Sequence, residues 1–456
     1  MLHAQHSWAK LNGRKALMRN LTRRDALLST ALLGMPERGL ASAARTTSEP
    51  ASRDGVTRSA TRVRGFADPE MDFQLLRSLG AASSMGAAVG EVLAAARNIT
   101  DGEPGTWPPA FAALGDQTRS LARSVLHKHR VSARDHFQRA SMYYRAAEYY
   151  DDPVTEKSRT HGLASRDAFL EAAKLMLWKS EVLQIPFEHL WLPGYFMQPA
   201  STEPWPRKTV ILLTGFDGTA EELYFQTGQA ALERGWNVLI AEGPGQTGFL
   251  RFHPDVKFRA DYELPVGAII DHALSRREVD AQRLALYGIS FGGYFASRAA
   301  AHDHRIKALV ANSPIPDLRA YMIGFVGPEM AANPPPLRLE EIDSIPDQQM
   351  PPGMKLGLKA SFRRFGVGNV TAWLERLADF RIGDALRDIR CPSLALVGEG
   401  EGSVAMDLFE SFSRGVSGPV TQRIFTTEEG ADSHCQLANL PLSNAVIYDW
   451  LDEVFT

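Results

Sequence analysis

Residues 284–302 read LALYGISFGGYFASRAAAH and place Ser290 between Gly288 and Gly292. An apolar strand that runs into glycines around a hydroxyl and then straight into an alanine-rich helix is the G-x-S-x-G nucleophile elbow in its strand–turn–helix setting. The glycines are there because the serine takes a strained conformation that a bulky neighbour would obstruct. The chemistry implied is acyl transfer: the turn lifts the hydroxyl above the carboxyl ends of the strands and aims the next amide, that of Phe291, at a developing oxyanion. A glycine-rich turn without chemistry is the plainer alternative.

A free hydroxyl is a poor nucleophile at neutral pH and needs a base. On such an elbow the partners follow in the order serine, acid, histidine. The stretch TTEEGADSHCQL, after the last apolar run, offers His434, and no other histidine lies between it and His304. The acid belongs after the preceding strand, in CPSLALVGEGEGS. Glu399 and Glu401 compete there, with Asp407 and Asp317 as further candidates. Glu401 is chosen, because the turn needs room after Val397 before a carboxylate reaches back to the imidazole. A second oxyanion amide is expected from Phe216 in the loop Gly215-Phe216-Asp217-Gly218, with Asp217 beside it as a pocket residue.

These residues need a scaffold, and the pattern after Ser180 supplies one. Two strands in EVLQIPFEHLWLPGYFMQP are followed by apolar runs over 209–214, 237–241, 284–287, 308–312, 393–397 and 421–425, separated by helical stretches. This alternation predicts an α/β fold with a mostly parallel sheet covered on both faces. Residues 314–388, rich in proline and methionine, break the alternation and are expected to be a lid insertion within a catalytic domain spanning 181–456. Residues 66–180 predict a helical domain covering the active site, with SARDHFQRASMYYRAAEYY as one helix and Ser165 capping the next. The tyrosines of the first are expected in a helix-packing core.

The rest of the chain excludes more than it offers. A net charge of -3 across 456 residues gives no basic excess for nucleic acid, and two cysteines are too few for a disulfide framework. No apolar run is long enough to span a bilayer. GPGQTG (243–248) fits a dinucleotide-binding pattern, but Pro244 removes an amide and no helix opening follows. The pairs His127/His129 and His302/His304 lack a third ligand and are expected to be solvated surface. Arg23-Arg24, the apolar stretch 26–35 and the run Ala41-Ser42-Ala43 match a twin-arginine signal cleaved near Ala43, which makes residues 1–43 an export signal and 44–65 an unstructured linker. Periplasmic or secreted placement is thereby favoured over cytoplasmic.

Together with RASMYYRAAEYY, LPGYF, GFDGTAEE, EGPGQTG and GADSHCQ, the elbow GISFGGY resembles one branch of the α/β-hydrolases. That branch contains dihydroxypseudooxynicotine hydrolase, the fungal polyketide-shortening hydrolases and the fermentation–respiration switch proteins. The resemblance covers about residues 66–456. It implies Ser290 as nucleophile, His434 as base and Glu401 where the family usually carries aspartate. Relatives of the first two hydrolyse a carbon–carbon bond next to a carbonyl, without metal or cofactor. The resemblance therefore implies a small-molecule acyl substrate, apolar or aromatic and partly enclosed, no cofactor, and a homodimer among the assemblies it allows. The rivals are an acylaminoacyl or dipeptidyl peptidase, whose usual β-propeller the helical composition of 66–180 argues against, and a regulatory binding protein on the same fold.

Overall fold

The computed structural model describes residues 55–200 and 205–456. The expected export signal, residues 1–43, lies outside the described residues.

Eight strands form one sheet: β1 (Lys179–Phe187), β2 (Leu190–Gln198), β3 (Arg207–Leu213), β4 (Asn237–Ala241), β5 (Val279–Ile289), β6 (Ala308–Asn312), β7 (Ser393–Gly398) and β8 (Val420–Phe425). Their order is β1-β2-β4-β3-β5-β6-β7-β8. β1 pairs antiparallel with β2, and β2 antiparallel with β4, with Tyr195 opposite Ile240. All other pairs are parallel. β4, β6 and β7 are buried at every position, as strands covered on both faces must be. Two apolar clusters lie on the two faces, one containing Leu286, Phe291 and Phe295, the other Tyr287, Val310 and Tyr448. The sheet is that of an α/β-hydrolase.

Before the sheet come the helices Pro69–Gly80, Val89–Ala96, Trp107–Val125, Arg130–Tyr149 and Glu156–Ala173. The first starts where Asp68 accepts the Met71 N–H and Pro69 sets the first turn. Ser165 is not a cap. Thr155 caps that helix by accepting from Ser158 N–H, and Ser165 is buried in its middle, facing Ser141. Gly162, which reads as a helix weakener, is required by tertiary packing: a Cβ there would lie 2.2 Å from both Glu148 Oε1 and Arg251 Nε. The tyrosine cluster divides. Tyr143 is buried in the core, whereas Tyr149 and Tyr150 line a cavity.

Buried ion pairs join these helices to the segments that follow β3 and β4. Arg77 and Arg145 both contact Glu222, at 2.6 and 2.9 Å, and Arg251 bridges Glu148 (2.6 Å) and Glu221 (3.0 Å). Such pairs recover little net energy after desolvation, but breaking one leaves an uncompensated buried charge, so they fix how the two parts dock.

Between β6 and β7 the chain forms the helices Leu318–Val326, Pro328–Ala332, Pro352–Phe365 and Val370–Leu377, which wall the same cavity from the other side. Among the described residues no helix is long and apolar enough to cross a membrane.

Candidate active site

β5 ends at Ile289, and the helix Gly292–His302 begins three residues later. Ser290 between them has φ +60°, a conformation held by a 2.5 Å hydrogen bond from its N–H to the Asn312 carbonyl. The flanking glycines are sterically required. A Cβ on Gly288 would lie 1.9 Å from the Gly292 carbonyl oxygen, and one on Gly292 would lie 2.5 Å from that of Leu213.

Ser290 Oγ is 2.9 Å from His434 Nε2, and His434 Nδ1 is 2.5 Å from Glu401 Oε2. A carboxylate at Nδ1 keeps the proton on that nitrogen and leaves Nε2 to accept from the serine. Glu401 is fully buried at the end of β7 and also accepts from Ser313 Oγ (2.8 and 2.9 Å to its two oxygens) and from Gly398 N–H (2.9 Å). The competing acids lie elsewhere. Glu399 is exposed and accepts from Thr427 N–H, Asp407 is exposed on the helix Ser403–Gly415, and Asp317 caps Leu318–Val326 by accepting from Ala320 N–H. The chain of contacts can move a proton from the serine to the imidazole while the carboxylate stabilises the resulting cation.

The loop after β3 meets the elbow at Gly215, where a Cβ would lie 2.8 Å from the Phe291 nitrogen. Phe216 follows, its ring stacked on Phe258 with centroids 5.7 Å apart. Asp217 borders the cavity but is engaged by Arg77 at 3.0 Å and Arg145 at 3.9 Å. Burial works against its ionisation, yet Arg77, Arg145 and Arg58 together hold its carboxyl well below the usual range. Gln246, inside the GPGQTG stretch set aside as a nucleotide motif, is fully buried and braces this loop. Its Nε2 donates to the Thr214 carbonyl (2.6 Å), and its Oε1 accepts from Gly243 N–H (2.6 Å) and Tyr262 OH (2.9 Å).

Residues 55–65, half of the expected linker, are not unstructured. They form an arm across the loops that carry the acid and the histidine. Thr57 N–H donates to the Glu401 carbonyl (2.8 Å), and His434 N–H donates to the Arg58 carbonyl (2.7 Å). Asp432, fully buried, accepts from the N–H groups of Ala60 (2.6 Å) and Thr61 (3.2 Å) and from the Thr61 hydroxyl (2.5 Å). These eleven residues lack periodicity and a core-facing apolar stripe, so composition alone made them a linker. Asp432 carried one signal, its place two residues before the histidine.

Ser290, Phe291 and Phe216 open into a mostly apolar cavity of about 1220 Å³ between the N-terminal helices and the β6–β7 insertion, with Tyr321, Met322 and Met350 among its walls. His127, His129, His302 and His304 are all exposed, and among the described residues no three histidine, cysteine or acidic side chains cluster as metal ligands.

Comparison with known proteins gives a consistent result. The profile of the Prolyl oligopeptidase family matches residues 224–341, which include the elbow. The hydrolase ORFZ of Pyricularia oryzae is 32% identical over 410 residues, covering 84% of this chain and 96% of its own. The alpha/beta hydrolase gkaG of Penicillium citrinum is 33% identical over 362 residues, covering 73% and 82%. Among solved structures, the 2,6-dihydroxy-pseudo-oxynicotine hydrolase superposes with a TM-score of 0.62 at 19% identity over 82% of this chain and 95% of its own.

Proposed function

This chain belongs to the α/β-hydrolase family and is a hydrolase; we propose that it is a cofactor-free serine hydrolase of small acyl compounds, cleaving a carbon–carbon bond next to a carbonyl in a β-dicarbonyl substrate. The observation that carries this reading is the hydrogen-bonded line Ser290–His434–Glu401, with Ser290 opening into a mostly apolar cavity.

Ser290 Oγ attacks one carbonyl carbon as its proton passes to His434 Nε2. The resulting tetrahedral oxyanion is held by the amides of Phe291 and Phe216. Collapse breaks the carbon–carbon bond and sends its electron pair into the second carbonyl as an enolate. Protonated His434 returns the proton to the departing carbon. Water, deprotonated by His434, then attacks the acyl-serine and releases the acid. An ester passes through the same steps, with an alkoxide leaving instead.

The test is turnover of benzoylacetone against a matched aryl ester, with products identified by mass. The expected result is cleavage of both, lost on the order of 10⁶-fold in kcat for Ser290→Ala. Cleavage of the ester alone across a varied diketone panel would make the protein a plain esterase. A second reading, an acylaminoacyl or dipeptidyl peptidase, has the match over 224–341 in its favour. Release of an amino-terminal dipeptide or acylated residue, with no diketone turnover, would establish it.

A further inference from the structure

Three arginines line the cavity, and two are committed to the protein. Arg145 holds Glu222 through Nε (2.9 Å) and the Asp217 carbonyl through Nη2 (3.3 Å). Arg364 donates from Nη1 to the Gly245 carbonyl (2.8 Å) and from Nη2 to Thr247 Oγ1 (3.1 Å), so that only its Nε lacks a partner. Arg58 differs. Its Nε is buried without a hydrogen-bond partner, its nearest acid is Glu70, 3.7 Å from Nε, and Asp217 acts on it only at longer range. Glu70 itself is turned to Tyr149 OH (2.7 Å) and Gln74 (2.9 Å) through its other oxygen. The guanidinium lies against the rings of Phe73 and Phe325, 5.7 and 5.0 Å from their centroids, between the first helix and the insertion. An arginine with spare donors in an apolar cavity is unsatisfied until an acceptor arrives.

Its position says what that acceptor is. The Arg58 carbonyl receives the His434 N–H, which sets its backbone beside the histidine, and Arg58 lines the same cavity as Ser290. In the proposed reaction the fragment protonated by His434 must lie on that side. We propose that Arg58 is a substrate-binding residue that donates to the second carbonyl of the substrate, the oxygen that becomes the enolate, and so selects acyl compounds bearing an enolisable oxygen β to the scissile carbonyl. This rests on the serine-hydrolase reading above. No further reactant is needed: when the carbon–carbon bond breaks, its electron pair passes to that oxygen, and the guanidinium offsets the charge until His434 protonates the carbon. An alkyl ester places no such oxygen there, so Arg58 separates the two substrate classes.

The test is binding without turnover. In the Ser290→Ala protein, benzoylacetone and butyrophenone, which lacks the second carbonyl, are titrated by calorimetry with Arg58 present and as Arg58→Gln, Arg58→Lys and Arg58→Met. With Arg58 the diketone is expected to bind at least about tenfold tighter, as a charge-assisted hydrogen bond supplies. Arg58→Gln and Arg58→Met should bring the ratio to within about twofold, and Arg58→Lys should keep part of it. A ratio near one with Arg58 present, or a ratio unchanged in Arg58→Gln, would overturn the proposal. A purely structural Arg58 would weaken both ligands equally and lower the melting temperature, which also overturns it. Failure of the serine reading shows separately, as turnover that survives Ser290→Ala.

Discussion

The backbone N–H of His434 donates to the carbonyl of Arg58 across 2.7 Å, tying the histidine to a segment 376 residues earlier in the chain. Thr57 makes the equivalent tie to Glu401 at 2.8 Å. Two loops that must hold acid and base within a few tenths of an ångström are thus clamped by one arm, and Asp432 anchors it. Positioning at this level governs the attack geometry.

Asp432→Ala should release the arm. It leaves the partly buried N–H groups of Ala60 and Thr61 without this acceptor, at up to about 1 kcal/mol each. Hydrogen exchange at those two amides should accelerate, and kcat should fall by roughly 10–100-fold with little change in KM. A chain starting near Thr46 keeps the arm and should turn over normally, whereas one starting at Ala67 should not. Unchanged protection and unchanged kcat in Asp432→Ala would show the arm to be passive.

Glu401→Gln should cost roughly 10⁴ in kcat, because the amide presents the wrong partner to the imidazole. Glu399→Gln should stay within about twofold, since that side chain is exposed and only meets the Thr427 N–H. The opposite pattern in steady-state rates would transfer the role to Glu399.

Gln246→Ala should slow acylation without weakening ground-state binding. The Thr214 carbonyl loses its 2.6 Å donor, and the Phe216 amide two residues on loses its alignment. Removing an oxyanion donor outright costs about 10²–10³ in kcat, so misaligning one should cost about tenfold or more. A rise in KM at constant kcat would instead place Gln246 in substrate binding.

Glu242 predicts a pH dependence of stability. Burial first, and Glu221 second, push its carboxyl up to about 8. Its unfolded value is roughly 4.3, so between the two the folded protein binds more protons than the unfolded one. The contribution of this group is intact below the unfolded value and is lost as pH rises through about 8, with a slope of up to about 1.4 kcal/mol per pH unit. Glu242→Gln keeps an acceptor for the Gly248 N–H, bonded at 2.9 Å, and removes the titration. Urea midpoints measured from about pH 5 to 8 should therefore fall less steeply for the variant than for the wild type. Parallel curves would show that Glu242 ionises freely when folded.

By itself the sequence determined what is local. Continuous apolar runs between helices specify a parallel sheet, and G-x-S-x-G at a strand end specifies a turn only small neighbours allow, as the 1.9 Å approach at Gly288 makes concrete. Chain order alone singled out His434, since one histidine remained after the last strand. What is non-local was decided only by tertiary structure. Glu399 and Glu401 are two residues apart, and which carboxylate turns inward depends on the backbone of the β7 exit and on Ser313 from another strand end. The arm 55–65 gains its order from acceptors on Asp432, Glu401 and Gly324 far along the chain, and Gly162 is needed because the Glu148–Arg251 ion pair passes beside it. Hydrogen bonds between distant segments leave no period in the sequence of either, so a segment held mainly by them reads as a linker until the partner is in place.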